Sequence, residues 1–357
     1  MSRLLSYSEI STALACPARW DFQYGGHLLG GETLRERQTA QILSNGRAWG
    51  AGIAAWHQHR DPLDALAALH GSLSDDAASI KGKGIAVNFD DLIGSWDKLV
   101  RILDHHVKTT EPLSGLSMLE AELDVPVPSR TGRRGSNHYR FVGYIDGHTI
   151  DGGHPWIVEF KLRGSLTDRA IIAKQPQYRW YATAFAIANK IKGPVGVILD
   201  ETLNEPPKPA RIVKAKRKDE GVDGMTVSHA VDQATTAELY YAACDQFGVA
   251  PHVDTADALQ ARRWHQRVRL IFTPDDLREA AHELVSAAKM IRDLDSGETH
   301  PIRNGHRGNC QGCRFAAVCE DPSDDFLIDM RFERTTPKRL RDGRSADRRS
   351  TQPKGEQ

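Results

Sequence analysis

Asp146, Glu159 and Lys161 stand in one short stretch of this sequence at spacings that suit hydrolysis at a metal centre. Asp146 ends an apolar run, Phe141-Val142-Gly143-Tyr144-Ile145, while Glu159 and Lys161 close a second run that begins Trp156-Ile157-Val158. Runs this short, bounded by Gly and Pro, read as strands. Two adjacent strands would bring Asp146 and Glu159 together, with Lys161 beside them. Two carboxylates and an ammonium at a strand end suit a hard divalent cation and an activated water. Gln177 and Tyr181 follow, four residues apart on a helix-like stretch. Taken alone, Glu-x-Lys also fits an ordinary hairpin with a surface ion pair.

The five cysteines form a second constellation. Cys310, Cys313 and Cys319 make a Cys-x2-Cys-x5-Cys cluster, Cys16 lies near the other end, and Cys244 stands alone in a helical pattern. The opening MSRLLSYSEI lacks the long apolar stretch of a secretory signal, so a cytoplasmic setting is expected. There, close-spaced cysteines are more often metal ligands than disulfides. Three clustered thiolates need a fourth ligand to complete a tetrahedral zinc site or an iron–sulfur cluster. Cys244 reads as a small buried hydrophobe.

Both constellations together resemble the RecB-like branch of the PD-(D/E)xK nucleases. The resemblance runs from Ser6 to Cys319. It implies a restriction-endonuclease-like α/β (mixed α+β) fold, with a central mixed sheet flanked by helices and the two ends joined by a metal cluster. It implies Asp146, Glu159 and the Phe160 carbonyl as ligands for Mg²⁺ or Mn²⁺, Lys161 to orient or activate the water, and Gln177 and Tyr181 beside them. Members with an iron–sulfur cluster carry one cysteine before the core, in a Ser-x-Ser…Cys-Pro context, and three after it. Ser6, Ser8, Cys16 and Pro17 match the first part; Cys310, Cys313 and Cys319 match the second. The resemblance thus implies a 4Fe-4S cluster on these four cysteines, with structural Zn²⁺ as the alternative. AddB subunits, CRISPR-adaptation nucleases and phage-encoded RecB-like exonucleases share this layout. Such relatives carry a His four residues after a Gly on a helix ahead of the strands. Here Gly46 is followed by Gly50, and His57 lies one heptad further on, as a candidate ligand only if the helix sits differently.

The elements that must position these groups follow from periodicity. Ser6-x-x-Glu9 has the form of a capping box opening a helix that carries Cys16. Residues 32–60 and 88–109 read as helices, the latter with Leu92, Ile93, Trp96, Leu99, Ile102 and Leu103 on one stripe. Strands follow at 119–125, at the two runs above, and at 195–199, with a helix over 167–192 between the last two. The stretch 204–227 reads as loop, 237–247 and 255–266 as helices, and 267–272 as a strand. Thr273-Pro274-Asp275-Asp276 starts a helix reaching about 294. The expected organisation is a helical region 1–115, a nuclease core 116–202, a helical region 203–325 ending in the cysteine cluster, and a basic, disordered tail 326–357.

Composition bounds the partners. The chain has 357 residues, with 47 Lys+Arg balancing 47 Asp+Glu, so it is not a general nucleic-acid coater. No apolar run approaches a membrane span, and no partner membrane is expected. The basic residues cluster locally: residues 208–218 carry six Lys/Arg and no acid, and RRWHQRVR places Arg262, Arg263 and Arg267 around Trp264. That pattern suits a single-stranded backbone and a stacked base. No phosphate-binding Gly-x4-Gly-Lys-Ser/Thr occurs, so a helicase or recombinase partner would be a separate chain. The expected activity is a metal-dependent DNA exonuclease, acting on single strands or duplex ends in phage or bacterial recombination and DNA processing, in the bacterial cytoplasm. The competing classes are a catalytically weak nuclease-fold binding module or helicase partner, and a zinc-stabilised nucleic-acid-binding protein.

Overall fold

In the computed structural model, residues 2–36, 41–82, 89–117, 121–128, 135–217 and 221–338 are described. The N-terminal part runs β1 (Arg3–Ser6), α1 (Tyr7–Ala15), α2 (Pro17–Trp20), β2 (Thr33–Glu36), α3 (Gln41–His59), α4 (Pro62–Gly82) and α5 (Phe89–Thr109). The middle runs β3 (Ala121–Pro128), β4 (Gly135–Ile145), β5 (Gly147–Asp151), β6 (His154–Arg163), α6 (Arg169–Lys174), α7 (Pro176–Ala188) and β7 (Val195–Leu203). The remainder runs β8 (Ile212–Lys214), β9 (Met225–Val227), α8 (Ala237–Gln246), α9 (Val253–Ala261), β10 (His265–Phe272), α10 (Pro274–Asp295), α11 (Arg307–Cys310), α12 (Ala316–Glu320), α13 (Asp325–Arg331) and β11 (Phe332–Thr335).

Two sheets meet at Asp146. The first has the order β1-β4-β3, with β1 parallel to β4; the second has the order β10-β7-β6-β5, with β6 parallel to β7. The chain leaves the first sheet at the end of β4, bends at Asp146, and enters the second as β5. The β5–β6 hairpin then lays Gly147 opposite Val158, setting Asp146 beside Glu159 and Phe160. The parallel β6–β7 pair needs a crossover, which α6 and α7 supply.

β6 is covered on both faces, and its alternation sorts the site. Ile157 packs with α7, α10 and the first sheet, whereas Trp156, Val158 and Phe160 pack against α3, α4 and α5. Glu159 and Lys161 share the face of Ile157. Of the α5 stripe, Leu99, Ile102 and Leu103 are buried in the helical layer and Leu92 and Trp96 pack against it, whereas Ile93 is exposed. The mixed sheets flanked by helices are those of a restriction-endonuclease-like core.

Several boundaries differ from the sequence reading, each for a physical reason. The expected helix over 32–60 begins only at Gln41, because Thr33–Glu36 is a strand paired with β11. α4 was not expected. The expected helix over 167–192 breaks at Gln175, held extended (φ −72, ψ 121) ahead of Pro176, and ends at Ala188. The stretch read as loop contains the β8–β9 hairpin, and α9 stops at Ala261. Ser6 does cap α1, accepting from the Glu9 N–H at 3.3 Å. The Glu9 carboxylate, however, turns to Arg3 and to Lys338 instead of closing the box. Cys16 lies at the junction of α1 and α2.

The tail boundary at 326 is corrected most clearly. β11 pairs along β2 from Phe332↔Glu36 to Thr335↔Thr33, and Phe332 is fully buried, stacked on Phe315 with ring centroids 5.3 Å apart. Long-range pairing and one aromatic anchor outweigh a locally polar composition. The rest of the expected tail, 339–357, lies outside the described residues. Truncating Phe332 to Ala should destabilise the protein by about 3–5 kcal/mol. Urea denaturation checks this, and a chain ending at Arg331 should lose at least as much as the point variant, whereas a midpoint unchanged in both would place β11 outside the fold.

Candidate active site

Asp146 and Phe160 fix the centre. The Phe160 N–H donates to Asp146 Oδ2 at 2.7 Å, which pins the carboxylate of the bend against the strand carrying Glu159. Lys161 Nζ donates to Glu159 Oε2 at 2.7 Å. Glu159 is 1% exposed, and its Oε1 is buried without any hydrogen-bond partner. An orphaned carboxylate oxygen in a buried site is costly unless a cation or water meets it.

The electrostatics describe a site short of positive charge. Burial pushes Glu159 up to about 7, only partly opposed by the Lys161 charge, and Asp146 adds to the rise. Burial also raises Asp146, against the Lys161 charge and the Phe160 N–H. For Lys161 burial alone would favour the neutral amine. The neighbouring Glu159 and Asp146 carboxylates outweigh it and hold the ammonium well above its usual range. Lys161 is therefore a cation at neutral pH, suited to neutralising developing charge and not to taking a proton.

α7 closes this face. Tyr181 hydrogen-bonds with Gln177 and senses Glu159, Lys161 and Asp146; burial pushes its hydroxyl up to about 12, so it remains a donor. Its ring lies along β4 at Gly143, where a Cβ would come within 3.1–3.3 Å of the ring. Residues the sequence reading passed over also line this face. Tyr178 senses Lys161, Arg163, Glu159 and Glu201. Arg163, two residues beyond Lys161, lies 3.4 Å from the fully buried Glu201, which also accepts from the Thr167 N–H and hydroxyl. Strand parity alone would have found Arg163.

His57 is not brought to this centre. It packs on the opposite face of β6, its ring stacked on the Phe160 ring at 5.1 Å. There His57, His106 and Asp200 offer ligand atoms within 4.8 Å of one another. The hydrogen bonds argue against a cation between them. The Leu113 N–H donates to His57 Nδ1 at 3.0 Å, so the neutral ring carries its proton on Nε2, the nitrogen 4.0 Å from Asp200. A metal would need that lone pair. Burial pushes His57 down to about 4 and His106 to about 3, so both are neutral. Asp200 is already satisfied by His265 Nε2 and Arg267 Nε, both at 2.8 Å. Burial would raise Asp200, but the His265 hydrogen bond and the neighbouring His265, Arg267 and His106 groups hold it well below the carboxylate range. Gly50, where relatives carry the His, faces open space: a Cβ there would meet nothing within 4 Å.

The structure gathers the four expected cysteines. Cys16, Cys310, Cys313 and Cys319 line one cavity of about 240 Å³, with Arg19 and Arg303 on its wall. Burial raises the Cys319 thiol; Arg303 opposes this, while Cys16, Cys313 and Cys310 add to it. Cys244 is buried in α8, apart from them.

The basic segment behaves differently from its expectation. Trp264 is only 9% exposed and packs edge-on to His105, so it offers no face to a base. Arg262 lies over the Trp264 ring at 4.6 Å and donates to the Gln233 carbonyl. Arg267 is held by Asp200 and the Glu111 carbonyl. Of the four named residues, Arg263 alone is exposed.

A family model described as the PD-(D/E)XK nuclease superfamily matches residues 4–320 of the chain. Comparison with curated proteins gave no match. Among the described residues no helix is long and apolar enough to cross a membrane.

Because cation binding requires ionised carboxylates, affinity at the Asp146–Glu159 pair should fall as pH drops through about 7. Calorimetric titration with Mn²⁺ should release more protons at pH 6.5 than at pH 8.5. Equal proton release at both values would mean that Glu159 is not a ligand.

Proposed function

This chain belongs to the PD-(D/E)XK nuclease superfamily, and from that premise we propose that it is a metal-dependent DNA exonuclease of the RecB-like type. It acts on single strands or duplex ends in phage or bacterial DNA processing. The observation that carries this reading is the buried Glu159 with one oxygen held by Lys161 and the other unpartnered, next to Asp146. The donor set is all oxygen, which suits Mg²⁺ or Mn²⁺. Asp146, Glu159 and the Phe160 carbonyl would hold the ion, which supplies an activated water and neutralises phosphate charge when bound.

The chain's own groups do the rest. Lys161, kept protonated, stabilises the negative charge that grows on the phosphate in the transition state. Tyr181, hydrogen-bonded with Gln177, lies close enough to the same carboxylates to feel their charge. Phe160, through its N–H, keeps Asp146 from turning away. The covering layers β1–β4–β3 and α7 shield the site from bulk water, which strengthens each interaction.

For the cysteines we favour a 4Fe-4S cluster. The preference over zinc rests on the resemblance of the Ser-x-Ser…Cys-Pro and Cys-x2-Cys-x5-Cys layout, and the four cysteines line one cavity. Arg19 and Arg303 offset the charge of the thiolates. The cluster ties α1–α2 to the C-terminal loop and takes no part in hydrolysis, because phosphodiester cleavage moves no electrons.

End-labelled single-stranded and duplex DNA, incubated with Mg²⁺, Mn²⁺ or EDTA, tests the reading. Asp146→Asn and Glu159→Gln should abolish metal-dependent cleavage, and Lys161→Ala should slow it by roughly 10²-fold or more while the fold is retained. Full activity in any of the three would remove that residue from the mechanism. Cys16→Ser and Cys313→Ser should each lose iron and melt at lower temperature, whereas Cys244→Ser should keep both. Stoichiometric zinc without iron in the wild-type protein would overturn the cluster and leave the nuclease reading intact.

A further inference from the structure

Beyond the active centre, the outer rim of β10 carries an unusual concentration of guanidinium groups. Arg169, Arg263, Gln266, Arg267, Val268 and Arg269 line a cleft of about 390 Å³. These arginines are not equivalent. Arg267 is committed to Asp200, and Arg269 is paired with Asp151 and lies over the Trp156 ring. Arg169 and Arg263 are exposed, and neither pairs with a carboxylate among the described residues. Arg169 makes only a long contact, 3.5 Å, to the Arg269 carbonyl. The one nearby acid on its helix, Asp168, is occupied in capping α6 through the Ala170 N–H.

The cleft is wired to the catalytic face. Gln266 Nε2 donates to the Thr167 carbonyl and to Glu201 Oε2, both at 2.7 Å. Glu201 lies 3.4 Å from Arg163 and is the register partner of Lys161. Two strand spacings from β6 to β10 and one residue pair along β6 put the cleft roughly 10–15 Å from Lys161. Arg163 stands between the two. Neither Arg169 nor Arg263 is needed to hold the fold. Both sit where a chain of phosphates passing Lys161 and Arg163 would continue.

The geometry points to this cleft as a phosphate-backbone site, in which Arg169 and Arg263 grip the nucleic-acid strand beyond the scissile bond. The inference rests on the nuclease reading and names the part of the substrate that the reading leaves unplaced. No exposed aromatic ring lines the cleft, so the contact is to phosphates and not to bases, and it carries no sequence preference. A linear cleft on one strand edge fits a single strand. It also reassigns the role expected of the Arg262–Arg267 segment: Arg263 belongs to the track, whereas Arg262 and Trp264 serve the fold.

The test measures binding of a fluorescent single-stranded oligonucleotide in EDTA, so that no cleavage intervenes, across a series of salt concentrations. Removing two phosphate contacts should reduce the log–log salt slope by about 1.4 in an Arg169→Ala/Arg263→Ala double variant, with weaker binding throughout. The Arg169→Lys/Arg263→Lys pair should recover most of the slope, and Arg262→Ala should not change it. A double alanine variant with the wild-type slope overturns the site. In parallel, Mn²⁺-dependent hydrolysis of a small phosphodiester, bis(p-nitrophenyl) phosphate, should be equal in wild type and double variant, while KM for a long oligonucleotide rises. Loss of small-substrate hydrolysis in the double variant would make these arginines part of the active centre and overturn the track. If the wild type hydrolyses no phosphodiester, the nuclease reading fails, yet the salt slope still decides the cleft.

Discussion

The constraint on which the structure depends is an ion pair made inside the molecule with one acid too many. Lys161 neutralises one charge, but Glu159 and Asp146 bring two to the same pocket. Buried charges of that kind are tolerated only where something else meets them. The fold supplies partial relief through the Phe160 N–H on Asp146 and leaves Glu159 Oε1 bare. A second positive charge at that oxygen would complete the balance. The architecture around it, two sheets hinged at Asp146 and closed by α7, exists to hold these groups against their own repulsion.

The opposite face of the same strand pair shows what a completed balance looks like. Asp200 stands at the register position of Phe160, one residue out of phase with Glu159, and collects His265, Arg267 and two neutral imidazoles. Asp200 itself is satisfied there, although the buried Nε2 atoms of His57 and His106 have no hydrogen-bond partner. The Leu113 N–H on His57 Nδ1 turns the Nε2–H of that ring, and not a lone pair, toward Asp200. A second demand is met at the ends of the chain. β2 with β11, Lys338 on Glu9, the Ala18 N–H on the Ile302 carbonyl, and the cavity shared by Cys16 with Cys310, Cys313 and Cys319 all join residues about three hundred positions apart. Closing loops of such length costs chain entropy on folding, which these contacts must together offset.

Much of this was legible because it is local. Asp146, Glu159 and Lys161 announce themselves by their places at the ends of two apolar runs, Gln177 and Tyr181 through the resemblance, and the structure brings them together at a hairpin and its covering helix. Cys310, Cys313 and Cys319 were legible through their spacing, whereas Cys16 came only from the resemblance. What stayed hidden depends on partners far away in sequence. β2 and β11 are strands only because they find each other, and the Thr33–Glu36 segment read as helix while Phe332 sat in a stretch that read as tail. Trp264 among arginines looked like a stacking platform; packing on His105 buried it. His57 fell to parity: one face of β6 carries the chemistry, and α3 lies over the other. Pro176 was visible, but a strong helical pattern on both sides masked its effect on Gln175.

The measurement closest to the central claim is anomalous diffraction from crystals soaked in Mn²⁺. A peak is expected about 2.1–2.4 Å from oxygens of Asp146 and Glu159 and from the Phe160 carbonyl, and none between His57, His106 and Asp200. A peak at the histidine face, with the Asp146–Glu159 pocket empty, would contradict it.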